Sequence, residues 1–226
     1  FEPPHFGPQA TLGGCTAAGL SGPRRAYAGA ARDTVLGVRM LDGKGDDLRF
    51  GGQVMKNVAG FDVSRVMAGS LGTLGVILEV SLKVLPQPVA EATLCFELTA
   101  ADAIASMNEW AGKPLPLSAT AWHDGKLQVR LSGASAAVAA ATTLLGGEHL
   151  EHSIATRYWH DIREQTAAFF TAQVPLWRLS IKSTTPPLNL PGTQLFEWNG
   201  AVRWVATDAD AAAVREAAQF GGGHAT

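Results

Sequence analysis

The sequence predicts an α+β protein in two parts, a glycine-rich half over residues 1–88 and a regular half over 89–226 with antiparallel sheet and helices on one face. Three observations predict it. Glycines crowd the chain up to Gly75, the step Pro86-Gln87-Pro88 interrupts it, and beyond that step short β-patterned runs alternate with Ala-rich helical runs.

In the first part, residues 1–33 read as turns, with Gly7, Gly13, Gly14, Gly19, Gly22 and Gly29 scattered among small residues. A strand follows over 34–41, its aliphatic residues interrupted by Arg39, and Asp42-Gly43-Lys44-Gly45 closes it as a turn. A second glycine-rich stretch runs from Gly51 to Gly75 and holds one short helix near 62–68. Val76 to Leu85 reads as a long strand that the proline pair ends, because proline cannot donate to a ladder.

The second part opens with a strand at Leu94–Leu98 and a helix over 101–111, with Thr99 as its N-cap. Residues 119–122 and 127–131 form a hairpin about Asp124-Gly125, and 134–145 a helix. A longer helix is expected over 155–170, where Tyr158, Ile162, Thr166 and Phe169 fall at helical spacing. Leu176–Ile181 alternates as a half-buried strand does, and the last hairpin turns on Asn199-Gly200, which suits a type I′ turn. Gly125 and Gly200 are each followed by a strand, a helix and a Gly-Gly pair, Gly146-Gly147 and Gly221-Gly222. That echo predicts a hairpin–helix unit used twice in one sheet.

Composition removes several classes of function. With 46% hydrophobic and 17% charged residues over 226 positions, the chain has the makings of a buried core and is not a disordered one. A net charge of −2, with Arg24-Arg25 as the densest basic step, argues against nucleic acid. The Ala-rich run 134–145 is too short for the roughly 20 residues of a membrane span. Two cysteines, Cys15 and Cys95, make neither a disulfide framework nor a zinc site, which points to a reducing compartment. The first residue is Phe1 rather than Met, and the last stretch stops where a further strand is due, so a chain truncated at both ends is expected.

Two segments carry chemistry. Ala10 to Gly22 packs small residues so densely that backbone can approach a ligand closely, and its N–H groups could form an anion nest; a tight structural turn explains the same residues. Lys56 to Val63 and Gly69 to Ile77 set four small residues before a strand, where a flat ligand or a packed corner would each fit. Thr11-Leu12-Gly13-Gly14, Arg32-Asp33-Thr34-Val35-Leu36, Lys56 to Asp62 and Gly69 to Ile77 lie in one order. Together they resemble the FAD-binding fold of the vanillyl-alcohol oxidase or PCMH-type family over about residues 5–88. Met55 to Asp62 and the closing Gly222-Gly223-His224-Ala225-Thr226 are similar, within that family, to the E-type subunits of bacterial glycolate oxidases. Leu71 stands where many hydroxy-acid dehydrogenases of the fold carry Glu, and favours the same subgroup.

The resemblance implies that residues 1–88 are the C-terminal part of a PCMH-type domain and 89–226 an α+β cap domain, incomplete at its C-terminus. FAD would run along Thr11, Gly13 and Gly14, with Ser21 and Gly22 nearby and contacts from Arg32, Asp33, Gly75, Val76 and Ile77; the family's pyrophosphate loop would precede Phe1. It implies an oxidoreductase that converts a small 2-hydroxy acid to the 2-oxo acid, with a second flavoprotein subunit and an iron–sulfur subunit as partners. It further implies a cytoplasmic protein, peripheral to the inner membrane through those partners. The alternatives are a stand-alone FAD oxidase of another alcohol and a scaffold without flavin. No catalytic residue is assigned: Arg157, Arg163, Arg178, Lys182 and Arg203 offer cations and His123, His160 and His224 bases, with nothing to make them converge. Metal is not expected, since the family's H-x-G-D-G-x-x-H run is missing and His149 and His152 read as surface residues. Cys15 reads as a buried small residue and the six Trp as cap core. Lys56 would orient a substrate carboxylate or the flavin pyrimidine, or pair with Asp62.

Overall fold

A computed structural model describes residues 2–52 and 61–226, and the chain divides into two units, Phe1–Gln87 and Pro88–Thr226.

The first unit starts with a helix where the sequence reads as turns. Gly13 and Gly14 are poor helix formers, yet α1 spans Leu12–Ala18 because its ends are capped. The Thr11 hydroxyl accepts from the Gly14 N–H at 3.0 Å, and Gly19 closes the other end in the left-handed conformation. Two single turns follow, α2 at Arg25–Ala28 and α3 at Ala31–Thr34. Strand β1, Val35–Leu41, lies between β2, Asp47–Gly51, and β3, Val76–Leu82, in an antiparallel sheet of order β2-β1-β3. The sequence hides β2, whose two apolar residues Leu48 and Phe50 alternate with Asp47, Arg49 and Gly51. Strand β3 stops at Leu82, short of the expected Leu85, after which Lys83 donates its N–H to the Thr34 carbonyl. One face of the sheet, with Val38, Met40, Leu48, Phe50 and Val80, packs on Met67 just past the short helix α4, Val63–Val66. Asp62 caps α4 and pairs with Arg65 at 3.1 Å. Lys56, its expected partner, lies outside the described residues, as does most of the motif Lys56 to Asp62.

The second unit is one eight-stranded antiparallel sheet. Its first half comprises β4 (Ala90–Glu97), α5 (Ala100–Ala111), β5 (Leu117–His123), β6 (Lys126–Gly133), α6 (Ser135–Leu145) and β7 (Glu148–His149). After α7 (His152–Arg163) the second half comprises β8 (Leu176–Ser180), β9 (Thr193–Glu197), β10 (Val202–Ala206), α8 (Ala211–Phe220) and β11 (His224–Ala225). The strand order β11-β8-β10-β9-β5-β6-β4-β7 reads the same outward from its centre in both directions, each half running second, third, first, fourth. This is the repeat that the two Gly-Gly pairs predict. Where the first half has α5, the second runs irregularly from Ile181 to Gly192 and covers its core with Leu188 and Leu190 instead.

Burial differs between the two faces. Leu94, Leu127, Val129, Leu131 and Phe196 pack under α5 and α6, and Leu179 and Val205 under α8. Helix α7 lies on the opposite face, where Trp159 packs on Ala119 and Ala121 and bonds Thr93 at 2.9 Å. Three helices therefore share the expected face and the fourth does not, because Thr93, Gln128 and Arg130 leave the reverse face too polar to stand against aliphatic helices. Helix α7 also ends at Arg163 rather than near residue 170. Gln165 adopts φ +56° and the Asp161 carbonyl accepts from Thr166 and Ala167, so Phe169 and Phe170 reach the sheet from turns. A two-residue turn with positive φ at both positions forms at Asp124-Gly125, but β9 and β10 are joined by four residues, with Trp198, Asn199 and Gly200 all at positive φ. Asn199 is held there by Thr120, whose hydroxyl donates to its Oδ1 at 2.9 Å and accepts from its N–H at 3.0 Å.

Arg203 is fully buried, and no carboxylate among the described residues pairs with it. Its guanidinium donates to the carbonyls of Gly200 at 2.8 Å, Thr185 at 2.6 Å and Pro186 at 3.4 Å, and lies 4.2 Å from the Phe196 ring centroid. Burial lowers its pKa to about 10, so it is still charged at neutral pH. Arg203→Met should lower unfolding free energy by about 3 kcal/mol, since three buried carbonyls lose a charged donor; urea denaturation of the chain measures it. Burial raises the Cys95 thiol above its usual range. At pH 8 iodoacetamide should therefore label Cys15, which is half-buried, and reach Cys95 only in denaturant, as mass spectrometry would show.

Candidate functional site

The site expected from the sequence falls wholly in the first unit, and its geometry follows from a close backbone approach. A Cβ on Gly19 would lie 2.7 Å from the Gly69 nitrogen, so only glycine lets the two chains meet there. Across that contact the Gly69 N–H donates to the Thr16 carbonyl at 3.1 Å and the Leu71 N–H to the Ala17 carbonyl at 2.9 Å. The end of α1 and the loop Gly69–Gly75 are thereby held together, and Gly13 comes to rest with its Cβ position 4.0 Å from the Ile77 carbonyl oxygen. Thr11, Gly13, Gly14, Val76 and Ile77 thus gather on one side of the unit.

Several features of this place suit a flat cofactor. Nothing among the described residues lies within 4 Å of a Cβ built on Gly69 or Gly72, although both have positive φ, so backbone faces open space. The Ser70 hydroxyl is buried and has no hydrogen-bond partner among the described residues. Leu12, Leu71, Leu74, Val76 and Leu78 are all exposed apolar side chains, Val76 at 63%. An open backbone cradle, an orphaned hydroxyl and an apolar border fit a flavin nucleotide better than they fit water.

The other expected residues have structural duties. Gly75 has φ +149°, and a Cβ there would collide with the Leu41 carbonyl oxygen and Met40 Cε, so its glycine is required by β1. Gly14 also faces protein, its Cβ position lying 3.0 Å from the Thr11 hydroxyl. Ser21 and Asp33 work as caps rather than as open ligand groups: Ser21 Oγ accepts from the Ala31 N–H at 3.1 Å and Asp33 Oδ2 from the Ala30 N–H at 2.9 Å. Ser21, buried Gly22, Arg32 and Asp33 therefore form a separate cluster around α3, with both Arg32 and Asp33 exposed. Sequence reasoning missed Ser70; the signal was present in the motif, but its burial was not.

In the second unit the proposed cations and bases are spread over several elements: Arg157 and His160 meet at Asp161 on α7, Lys182 follows β8 beside Gly222, and the others lie apart from these. Arg157 pairs with Asp161 at 3.7 Å and Arg163 with Glu164 at 2.6 Å, while Arg203 is engaged by carbonyls. Arg178 stacks on Trp198 and Trp204 at 5.2 and 5.8 Å. His160 lies 3.3 Å from Asp161, His224 is in β11, and His123 Nδ1 is 3.0 Å from the Gln194 carbonyl. His149 and His152 are exposed. Trp110, Trp122, Trp159, Trp177 and Trp204 join apolar clusters, and Trp198 sits beside Arg178.

No family model matches the chain. Alkyldihydroxyacetonephosphate synthase superposes with a TM-score of 0.65 at 15% identity, over 98% of this chain and 55% of that one. A glucose dehydrogenase, Phl p 4.0202, superposes at 0.53 and 16% identity over 96% and 56%. The fold is that of the PCMH-type flavoenzymes. Glycolate oxidase subunit GlcE of Escherichia coli is 48% identical over 225 residues, all of this chain and 63% of that protein.

This chain is a homologue of that glycolate oxidase subunit.

It spans about 63% of the relative's length. Glycolate oxidase subunit GlcD of Bacillus subtilis is 39% identical over 84 residues, 37% of this chain and 18% of that protein. The match to a D-type subunit thus covers little more than a third of the chain, whereas the E-type match covers all of it.

The two glycines of the expected site should respond in opposite ways. Gly13→Ala places a methyl in van der Waals space inside a helix, and should raise the stability of the chain by about 0.5–1 kcal/mol. Gly75→Ala should cost more than about 3 kcal/mol through its collision with β1. Thermal unfolding of both variants checks this.

Proposed function

We propose that this chain is the greater part of an FAD-binding subunit of a glycolate-oxidase-type complex that oxidises a small 2-hydroxy acid to the 2-oxo acid. The observation that carries the reading is the whole-chain identity to GlcE, together with the gathering of Thr11–Gly14 and Gly69–Ile77 on one open surface. The chemistry a bound flavin supplies is acceptance of the hydride from the substrate α-carbon. The chain's own part is to hold that cofactor: backbone at Gly13, Gly14, Gly72, Val76 and Ile77 lies along it, and Ser70 Oγ meets one of its polar atoms. Arg32 and Asp33 shape the adjoining turn at the start of β1.

Electrons leave through partner subunits, a second flavoprotein and an iron–sulfur protein, which also hold the complex at the inner membrane. No helix among the described residues is long and apolar enough to cross a membrane, in keeping with attachment through partners. The substrate would be oxidised in the assembled complex rather than in this subunit, a reading supported by the engagement of Arg157 and Arg163 with carboxylates and of Arg203 with carbonyls.

The full-length protein should purify with the visible absorbance bands of oxidised flavin, in a one-to-one ratio by extraction. Gly72→Val should lose that flavin: its side chain points into open space beside the loop, so the change strains φ by about 1–2 kcal/mol but collides with no protein atom. Stoichiometric flavin in Gly72→Val would refute the placement. The lone full-length subunit should reduce an artificial acceptor dye with glycolate or lactate at under about one-tenth the rate of the complex, a tenfold gap corresponding to about 1.4 kcal/mol of activation free energy. Equal rates would place the complete reaction in this subunit.

A further inference from the structure

We propose that Leu71 is a positioning residue for the cofactor, its side chain packing on the apolar face of a ring of the bound flavin nucleotide. The inference rests on the flavin surface proposed above and adds a side chain to what is otherwise a backbone cradle. Its starting point is a leucine in a backbone conformation that leucine seldom adopts.

Ser70, Leu71, Gly72 and Thr73 form a tight turn. The Thr73 N–H donates to the Ser70 carbonyl at 3.0 Å, and the Thr73 hydroxyl donates to the same oxygen at 2.7 Å. Leu71 has φ +52° and Gly72 φ +76°. Positive φ at both central positions is the pattern of a type I′ turn, which favours Asn-Gly and Asp-Gly. Leucine in the left-handed region sets its Cβ too close to the following carbonyl oxygen, a crowding that glycine escapes and asparagine tolerates better. The turn cannot relax away from it. Ala17 holds the Leu71 N–H at 2.9 Å, and Thr16 holds the Gly69 N–H at 3.1 Å.

The chain itself gains little from this side chain. Leu71 is 74% exposed and joins no apolar cluster among the described residues. Trp198, also at positive φ, differs in stacking on Arg178 at 5.2 Å. A strained residue held firmly in place, with its side chain left in water, points to a contact made when a ligand is bound.

The chemistry of leucine narrows that contact. It has neither donor nor acceptor, so it recognises an apolar face and not a phosphate or a hydroxyl. Of Gly69, Ser70, Leu71 and Gly72, only Leu71 puts a side chain into solvent, since Ser70 is buried and the glycines have none. A ring laid against bare backbone at Gly69 and Gly72 therefore meets Leu71 first. A flavin nucleotide offers two such rings, the isoalloxazine and the adenine.

The test uses flavin-stripped full-length protein titrated with FAD and with FMN by fluorescence, beside thermal unfolding without flavin. Leu71→Asn suits the turn better than leucine, so the flavin-free midpoint should stay level or rise, while FAD should bind about ten-fold more weakly, as befits one leucine side chain left in water. Leu71→Met, which keeps an apolar side chain, should bind FAD within about two-fold of the unaltered protein. Equal weakening of FMN assigns the contact to the isoalloxazine, and weakening of FAD alone assigns it to the adenine; either supports the proposal. Unchanged FAD affinity in Leu71→Asn overturns it. A flavin-free midpoint lowered by more than about 5 °C also overturns it, because Leu71 is then packed against protein in the full-length chain. Unaltered protein that binds no flavin would instead overturn the underlying flavin surface, and this inference with it. Where the stripped protein aggregates, the rate of FAD release from the loaded protein on dilution gives the same comparison, with about ten-fold faster release expected for Leu71→Asn and an unchanged rate overturning the proposal.

Discussion

Two backbone hydrogen bonds, from Gly69 to Thr16 and from Leu71 to Ala17, organise the first unit. They join segments some fifty residues apart in sequence and exist only because Gly19 leaves room for Gly69. Neither bond is strong by itself, about 1 kcal/mol net. Their effect is positional: with α1 pinned against the loop, a capped seven-residue helix too short to persist alone becomes a fixed edge of the candidate site. Glycine has a different job at each position. Gly19 and Gly75 admit neighbouring backbone, whereas Gly69 and Gly72 face open space. The second pair is what a ligand would explain.

The second unit solves a different problem, how to bury both faces of one sheet with halves that are alike. Aliphatic side chains on one face accept α5, α6 and α8, while the reverse face carries Arg130, Gln128 and Glu197 and is covered by α7 through aromatic and polar contacts. Trp204 Nε1 donates to the buried Glu197 carboxylate at 2.8 Å, and the Tyr158 hydroxyl lies 3.0 Å from the Gln128 amide. Burial and nearby Glu197 push the Tyr158 phenol up, which keeps it protonated in that network. The two halves are tied by Asn108, whose amide donates to the carbonyls of Ile104, Ser183 and Asn199 and accepts from the Ser183 hydroxyl at 2.7 Å. Arg203 holds the irregular segment that replaces a second α5.

Whole-chain identity to a glycolate oxidase subunit and these two local geometries bear on different questions. The first speaks to ancestry, and through it supports the proposed reaction. The second speaks to what each unit holds in place: an open backbone cradle around Gly72 suited to a large flat cofactor, and a sheet whose polar reverse face is covered by α7.

The amino-acid sequence by itself determined most elements of the second unit, since Thr99, Asp124-Gly125 and the two Gly-Gly pairs are local signals that act within a few residues. It also pointed to Thr11–Gly14 and Gly69–Ile77, which the structure brings together, and to Arg32-Asp33, which the structure sets apart. Tertiary structure alone decided the rest. Helix α1 forms against its own glycines because caps at both ends and the loop beyond them hold it, and β2 pairs despite a mixed pattern because β1 offers an open edge. The apolar spacing from Tyr158 to Phe169 records that these residues are buried, but not that the last of them reach the sheet from turns after α7 has ended. Periodicity reports that a side chain leaves water; which surface receives it is settled by residues distant in the chain. For the same reason Ser70, Gln194 and Arg203 read as ordinary polar residues until packing buries them.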